Sequence, residues 1–256
     1  MSENNFVKQE SSIEEKELNP MSGWLALIIG ILFIISPTLG VGTLIAYDNP
    51  IFLVITIILF IVAIFMFCGL KIVNPNESVV FVLFGKYYGT LKKPGFFFVN
   101  PFVSAINPTY ESQVAKLSKT GEKDSDDEST TSNTKKVSLK AMTLNNQKQK
   151  VNDELGNPII IGTIVIWRVV NPTKAVFNVE NYKTFLSIQC DSTIRNVARL
   201  YPYDSEDTED HREKSLRGSS QEIADRLKEE LQKRVEIAGI EVEEVRITHL
   251  SYAPEI

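Results

Sequence analysis

The chain has 256 residues, of which 43% are hydrophobic, and its 27 Lys and Arg against 32 Asp and Glu leave a formal net charge of −5. Two long charge-free segments lie near the N-terminus, whereas the rest of the chain is as polar as an ordinary globular domain. This distribution argues against a wholly soluble globule and against a transporter with many spans. The acidic balance also argues against nucleic-acid binding, which needs a basic face to neutralise phosphates.

Residues 1–20 are polar and precede the first apolar segment. They carry five Glu against two basic residues, Lys8 and Lys16. A secretory signal starts instead with a short basic region. We therefore expect a polar N-terminal tail over residues 1–20 and no signal peptide.

Two apolar segments follow the tail, Trp24–Tyr47 and Ile51–Leu70, and neither contains a charged residue. A helix of about 20 apolar residues is long enough to cross the roughly 30 Å of hydrocarbon in a bilayer. The pattern predicts a transmembrane helical hairpin over residues 21–71, with spans at about 24–47 and 51–70.

Aromatic and proline residues add detail to the first apolar segment. Trp24 and Tyr47 stand at its two ends, where amphipathic rings anchor helices at the membrane interface, so both are candidate membrane contacts. A re-entrant hairpin that enters one leaflet with Pro37 at its tip is the alternative to two crossings. Neither segment holds an Asp, Glu, Lys, Arg or His side chain, which argues for an anchor and against an ion or proton path.

Basic residues flank the hairpin but are absent from its turn at residues 48–50. They are Lys16 before the hairpin and Lys71, Lys86, Lys92 and Lys93 after it. Because Lys and Arg in short flanks stay on the cytoplasmic side, both termini and the domain that follows are predicted to be cytoplasmic.

Residues 72–115 read as a β-rich first subdomain. Ser78–Phe84 is β-rich and too short for a helix, and Gly85 ends it, which predicts a strand. Phe96, Phe97 and Phe98 follow the turn Pro94-Gly95. These three residues are candidate membrane contacts in a shallow dip, or else they belong to a strand buried on both faces.

Residues 116–140 differ in character from both neighbours. Charged and hydroxyl side chains dominate, and apolar residues are almost absent from Lys116 to Lys136. Such a segment buries too little surface to offset its ordering entropy, so we expect a polar, disordered insertion. The acidic run Asp124–Glu128 lacks the glycine and the late glutamate of an EF-hand loop, so a solvated loop is favoured over a calcium site.

Residues 141–256 read as an α+β second subdomain. Ile159–Val170 is the clearest strand pattern in the chain, and residues 182–198 repeat apolar positions at helical spacing. A second helix follows Ser219, which together with Glu222 has the spacing of a capping box. Gly239 is expected to end that helix, and Ile240–Leu250 returns to strand.

The second helix carries a regular apolar stripe. Its members, each four residues after the last, are Ile223, Leu227, Leu231 and Val235. We predict that this face is an oligomer interface, to which edge strands also contribute.

Residues that support catalysis or metal binding are sparse. Cys68 and Cys190 both read as small buried hydrophobes, and neither His211 nor His249 has a partner at metal-ligand spacing. The Ser-x-x-Lys match that begins at Ser132 lies in the polar insertion. We therefore expect no enzymatic activity, no metal and no cofactor.

Several segments, in this order, resemble the SPFH (band 7) superfamily of stomatin, prohibitin and flotillin, and in particular a bacterial group with an N-terminal double span. They are Val73–Val80, Leu83–Thr90, Pro94–Phe102, Lys150–Pro158, Trp167–Pro172, Ala175–Tyr182, Tyr201–Asp204 and Ser251–Ile256. The resemblance implies an α+β fold in which a two-part SPFH domain follows the hairpin, with the β-rich first subdomain hugging the membrane. It implies no catalysis.

The same resemblance suggests what the protein does. Relatives assemble laterally into rings or cages that organise membrane microdomains and scaffold membrane proteins, including membrane proteases. Membrane lipid, further copies of the chain and a membrane protein such as a protease are therefore the expected partners. The alternative is a regulatory adaptor that docks a membrane protease without forming a lattice.

This chain departs from its relatives in two respects. The insertion lies where relatives connect the subdomains more directly. The sequence ends at Ile256, where relatives continue into a long helix, so we expect a truncation before a C-terminal helix, with a minimal variant of the family as the alternative.

Overall fold

A computed structural model of the chain describes residues 14–47, 50–110, 135–204 and 215–254. These residues divide into two compact units. The first unit contains residues 16–47, 50–107 and 135–138, and the second contains residues 14–15, 108–110, 139–204 and 215–254. The hairpin thus belongs to the first unit, together with the strands that follow it.

Two helices dominate the first unit, α1 (Gly23–Tyr47) and α2 (Pro50–Cys68), and they pack against each other. Their positions agree with the two apolar segments of the sequence. Within the part of the chain that the structure describes, none of the helices combines the length and apolar character needed to cross a membrane. The transmembrane hairpin is accordingly not confirmed.

Seven short strands of this unit, in two groups, accompany the helices. They are β1 (Met21–Ser22), β2 (Leu70–Val73), β3 (Glu77–Leu83), β4 (Lys86–Leu91), β5 (Gly95–Phe98), β6 (Ser104–Ala105) and β7 (Val137–Ser138). One sheet has the order β1-β5-β2; a second has the order β4-β3-β6, and β7 also pairs with β3. The strand predicted over Ser78–Phe84 is confirmed as β3.

The core of the first unit forms between these sheets. It consists of the buried side chains of Val73, Val79, Phe81, Leu91, Val99 and Val103. The predicted insertion lies mostly outside the described residues, but its end does not: β7 pairs with β3, and Lys136 forms a 3.0 Å ion pair with Glu77.

The end of the predicted N-terminal tail is also part of this fold. The backbone N–H of Leu18 donates to the Thr90 carbonyl, and the N–H of Thr90 donates to the Lys16 carbonyl, both at 2.9 Å. The Leu18 side chain packs over Gly89, where a Cβ atom would lie 2.6 Å from it. The tail is therefore shorter than the sequence pattern suggested, because Leu18 supplies apolar surface to the core.

The second unit is a three-stranded antiparallel sheet of order β10-β9-β8. Its strands are β8 (Met142–Asn152), β9 (Pro158–Val169) and β10 (Ile240–Tyr252), and its helices are α3 (Pro172–Phe177), α4 (Tyr182–Ala198) and α5 (Ser220–Val235). The predicted strands β9 and β10 and the predicted helices α4 and α5 are confirmed. Strand β8 and helix α3 were not predicted.

Three of the segments behind the family resemblance meet at one corner of this unit. The buried Asp153 carboxylate accepts hydrogen bonds from the backbone N–H of Asn157 at 2.7 Å and of Tyr203 at 3.1 Å. The Tyr203 ring lies 4.0 Å from the Tyr252 ring, centroid to centroid. These contacts fasten the β8–β9 turn to the loop after α4 and to the end of β10.

Replacing Asp153 with Ala should destabilise the second unit by about 2–3 kcal/mol, because buried N–H donors lose a charged acceptor. The exposed neighbour Glu154 provides the matched control, Glu154→Ala, which should change stability by less than about 0.5 kcal/mol. Thermal unfolding and hydrogen exchange over residues 150–158 measure both effects. Equal stability of the two variants would contradict this role of Asp153.

Candidate membrane-facing surface

Strand β5 pairs with both ends of the helical hairpin at once. On one edge Phe98 pairs with Met21 and Phe97 with Ser22, just before α1 begins. On the other edge the same two residues pair with Leu70 and Lys71, just after α2 ends. We call β1, β5 and β2 the strand clamp, because one central strand fixes where both helices enter and leave.

Two glycines allow the strand clamp to close against the helices. A Cβ atom on Gly23 would lie 2.7 Å from the Phe96 ring, and one on Gly69 would lie 2.4 Å from the Val99 carbonyl oxygen. The N–H of Val99 donates to the Gly69 carbonyl at 2.9 Å. Any larger residue at these two positions would push the helix ends away from β5.

The three phenylalanines that were candidate membrane contacts form this central strand. Each is half-buried. Phe96 packs edge-to-face on Trp24, with ring centroids 5.7 Å apart, and Phe97 packs against the core of the first unit. The three residues therefore belong to a strand, but not to one buried on both faces, and their contact with the membrane stays a prediction.

The other candidate contacts lie on α1. Trp24 is 67% exposed, although its ring packs against Phe96. Tyr47 is the last residue of α1, and its side chain falls outside what the structure describes.

Large apolar side chains are exposed around both helices of the hairpin. On α2 they include Ile51, Val54, Ile55, Ile57, Ile58, Phe60, Ile61, Val62, Ile64 and Phe65, each between 40% and 63% exposed. Consecutive positions of a helix point in different directions, so this exposure is not confined to one stripe. A helix that is apolar all round is normally covered by lipid or by other protein.

An aromatic row leads away from α2. The Phe65 ring lies 6.0 Å from the Phe102 ring, which in turn stacks on the Phe84 ring at 6.4 Å. Phe102 is 59% exposed and Phe84 is 85% exposed. Neither residue stands out in the sequence as a candidate contact, although Phe84 stands directly before Gly85 at the predicted end of β3.

A model of the SPFH domain / Band 7 family matches residues 71–256 of the chain. The chain belongs to this family. The match begins at the last residue of the predicted hairpin, so it leaves out β1, α1 and α2 and covers the part of the first unit that follows them together with the second unit. It confirms the resemblance at the level of the superfamily.

Two curated relatives agree with this assignment. A stomatin homologue of Pyrococcus abyssi is 30% identical to the chain, and a stomatin homologue of Pyrococcus horikoshii is 29% identical, each over 146 residues. Each alignment covers 57% of this chain and 44% of the relative, so the chain spans less than half the length of these relatives. Neither comparison supports the narrower likeness to a bacterial group with a double span.

In this SPFH domain the predicted oligomer interface lies in the core of the second unit. Ile223, Leu227, Leu231 and Val235 are at most 2% exposed, and α5 packs on β10 and α4. Side chains buried this deeply cannot also contact another subunit, so the interface assignment is corrected. The apolar stripe reflects packing within the chain.

The ends of α5 are only partly as the sequence predicted. Ser219 is the N-cap residue, but its side chain makes no capping hydrogen bond. Gly239 ends the 3₁₀ turn (Glu236–Ala238) that continues α5, with a φ of +64° and no room for a Cβ beside the Asn171 carbonyl. The glycine stop is confirmed, whereas the capping box is not.

A polar crevice of about 350 Å³ lies between β8 and α4. A bulge in β8 between Asn146 and Gln149 turns side chains toward α4, where Asn146 Nδ2 donates to Asp191 Oδ1 at 2.7 Å. Arg195 Nε donates to Gln149 Oε1 at 3.3 Å. These hydrogen bonds join the bulged part of β8 to α4.

Cys68, Cys190 and His249 each lie in a different local environment. Cys190 is buried beside Thr163, and burial raises the pKa of its thiol to about 11. Cys68, in contrast, is exposed at the end of α2, which corrects the prediction that both thiols are buried. His249 Nε2 lies 3.1 Å from Ser251 Oγ, and His211 is outside the described residues. Over residues 14–47, 50–110, 135–204 and 215–254, no three His, Cys, Asp or Glu side chains group as metal ligands.

Replacing Gly69 with Ala should loosen the strand clamp, because the new methyl group collides with the Val99 carbonyl. Overpacking of this kind costs about 1–3 kcal/mol, so amides of β2 and β5 should exchange about tenfold faster or more. Gly42→Ala is the control, since a Cβ on Gly42 meets nothing within 4 Å. Unchanged exchange in Gly69→Ala, measured by mass spectrometry, would contradict the clamp.

The two thiols should differ sharply in reactivity. With a pKa of about 11, Cys190 is a thiolate in well under about one molecule in a thousand at pH 7.5, and it is also inaccessible. In mild detergent a maleimide should modify Cys68 at least about a hundredfold faster, and Cys190 only after denaturation. Peptide mapping of the modified protein would reveal the opposite order if the assignment of Cys190 to the core is wrong.

Proposed function

We propose that the chain is a non-enzymatic membrane scaffold of the SPFH type. The apolar hairpin inserts into the bilayer as an anchor, and the SPFH domain associates laterally with further copies to organise a patch of membrane and its proteins. The observation that carries this proposal is the hairpin itself, which is apolar on all described sides and held at both ends by one strand.

Lipid is the environment that best suits the apolar surface of the hairpin. Exposed side chains such as Ile58 and Ile64, 54% and 49% exposed, would be unfavourable in water. Residues on both sides of the hairpin pair with β5, so α1 begins and α2 ends at one small sheet. Combined with the basic flanks, this favours an anchor that keeps both termini and the SPFH domain on the cytoplasmic face.

Lateral association follows from the anchor by geometry. Confinement to the plane of the membrane raises the effective concentration of neighbouring domains, so weak contacts suffice for assembly. With the apolar stripe of α5 buried, such contacts must use exposed groups. Ile188, Leu200 and Ile237 of the second unit, each 57–59% exposed, are the candidates.

The structural roles of several polar groups in the second unit agree with a function without catalysis. Asp153 and Asp191 are engaged by N–H donors, and Cys190 is held as a neutral thiol. Each of these groups stabilises a turn, a bulge or the core. The proposal therefore includes no cofactor, metal or reacting residue.

The mass of the protein in mild detergent, measured by light scattering, tests the scaffold. A large, discrete particle is expected for the wild-type chain. Leu200→Asp and Ile237→Asp together should reduce its mass severalfold, whereas Asp225→Ala, on the exposed side of α5, should not. A wild-type monomer or dimer would contradict the scaffold and favour an adaptor that docks a membrane protease.

A further inference from the structure

The turn between β3 and β4 has an unusual residue at its tip. Leu83 pairs with Lys86, which leaves a two-residue turn of Phe84 and Gly85 with φ angles of +47° and +80°. Two-residue hairpins with positive φ at both positions favour Asn-Gly or Asp-Gly. A bulky residue with positive φ is a genuine outlier, and backbone strain of this kind clusters at functional positions.

Packing within the chain does not explain this phenylalanine. At 85%, Phe84 has the highest exposure among the large hydrophobic side chains of the described residues. Its ring contact is with Phe102, which is itself 59% exposed. The tip therefore combines a disfavoured backbone conformation with an aromatic ring that faces solvent, and neither benefits the folded chain.

We propose that Phe84 and Phe102 form an aromatic wedge that enters the lipid interface beside the hairpin. Lipid is the expected surrounding because the wedge is continuous with the exposed surface of α2: ring contacts of 6.0 and 6.4 Å join it to the exposed Phe65. The medium that surrounds Phe65 then also surrounds Phe102. This inference rests on the proposed function, in which α2 is in the bilayer.

The surroundings of the wedge suit a membrane interface. Lys86 follows the tip and is exposed, and a lysine beside an aromatic residue can place its ammonium group among lipid headgroups. The wedge adds Phe84 and Phe102 to the candidate lipid contacts of the β-rich region. It adds a second contact point to the hairpin and so limits the tilt of the first unit.

Lipid-attached quenchers measure the contact directly. In the full chain carrying Cys68→Ser, an environment-sensitive fluorophore is attached to Phe84→Cys, Ile57→Cys or Leu155→Cys, and the protein is reconstituted into phosphatidylcholine vesicles with doxyl-labelled lipid. Ile57 reports on α2, and Leu155, 72% exposed, is a hairpin-tip residue of the second unit. Quenching at positions 57 and 84 should exceed that at position 155 at least threefold.

The other outcomes separate the two proposals. Quenching at position 57 without quenching at position 84 overturns the wedge and leaves the anchor intact. The absence of quenching at both positions overturns the anchor and the wedge together. A fluorophore at position 84 that is shielded from aqueous iodide but not quenched by lipid shows that protein covers the tip, which also overturns the wedge.

A turn-compatible variant distinguishes lipid contact from a structural role. Phe84→Asn supplies a residue that the turn favours, so the thermal midpoint should stay equal or rise, while quenching of a fluorophore on Phe102→Cys should fall at least twofold. Leu155→Asn is the matched control and should leave that quenching unchanged. A lower thermal midpoint in Phe84→Asn, or unchanged quenching at position 102, contradicts the wedge.

Discussion

Strand β5 is the element on which the first unit depends. Phe97 and Phe98 pair on one edge with the segment that enters α1, and all four residues of β5 pair on the other edge with the segment that leaves α2. Without this strand the two helix ends would be connected only by the helices themselves. The remaining strands build on the same constraint, since the side chain of Phe97 reaches from the strand clamp into the core.

The strand clamp also explains the local sequence. Three consecutive phenylalanines give β5 a strong preference for strand, and they fill space between two helix ends. Gly23 and Gly69 are small because backbone and rings come within van der Waals distance there. The aromatic rings of Phe96–Phe98 are thus needed for packing at the ends of the hairpin. The Phe84 ring, in contrast, is exposed and is not needed for packing.

Sequence patterns predicted the elements whose burial repeats regularly. Strand β9 was recognisable because its buried residues alternate and its apolar content is high, and α4 and α5 because apolar positions recur at helical spacing. Strand β8 was missed because Met142–Asn152 is largely polar: it is an edge strand with a bulge, and few of its side chains are buried. The six-residue α3 is too short to show periodicity.

The candidate site was harder to predict, for a physical reason. An amphipathic stripe such as Ile223–Val235 shows that a surface is buried but not what buries it, and here it is the chain's own sheet and α4. For Phe84 the difficulty was the reverse: an aromatic residue at the end of a strand pattern is interpreted as a packed strand residue, although here its ring is exposed at a turn. Only the backbone conformation and the exposure of the ring reveal its position.

The central claim is that one strand holds both ends of the hairpin together, and a distance between those ends tests it. Ser22 and Lys71 both pair with Phe97 from opposite sides, so their backbones lie two strand spacings, about 10 Å, apart. Spin labels at these two positions in vesicle-reconstituted protein should show strong dipolar broadening, and Gly69→Ala should weaken it. Spectra without broadening in the wild-type background would contradict the account.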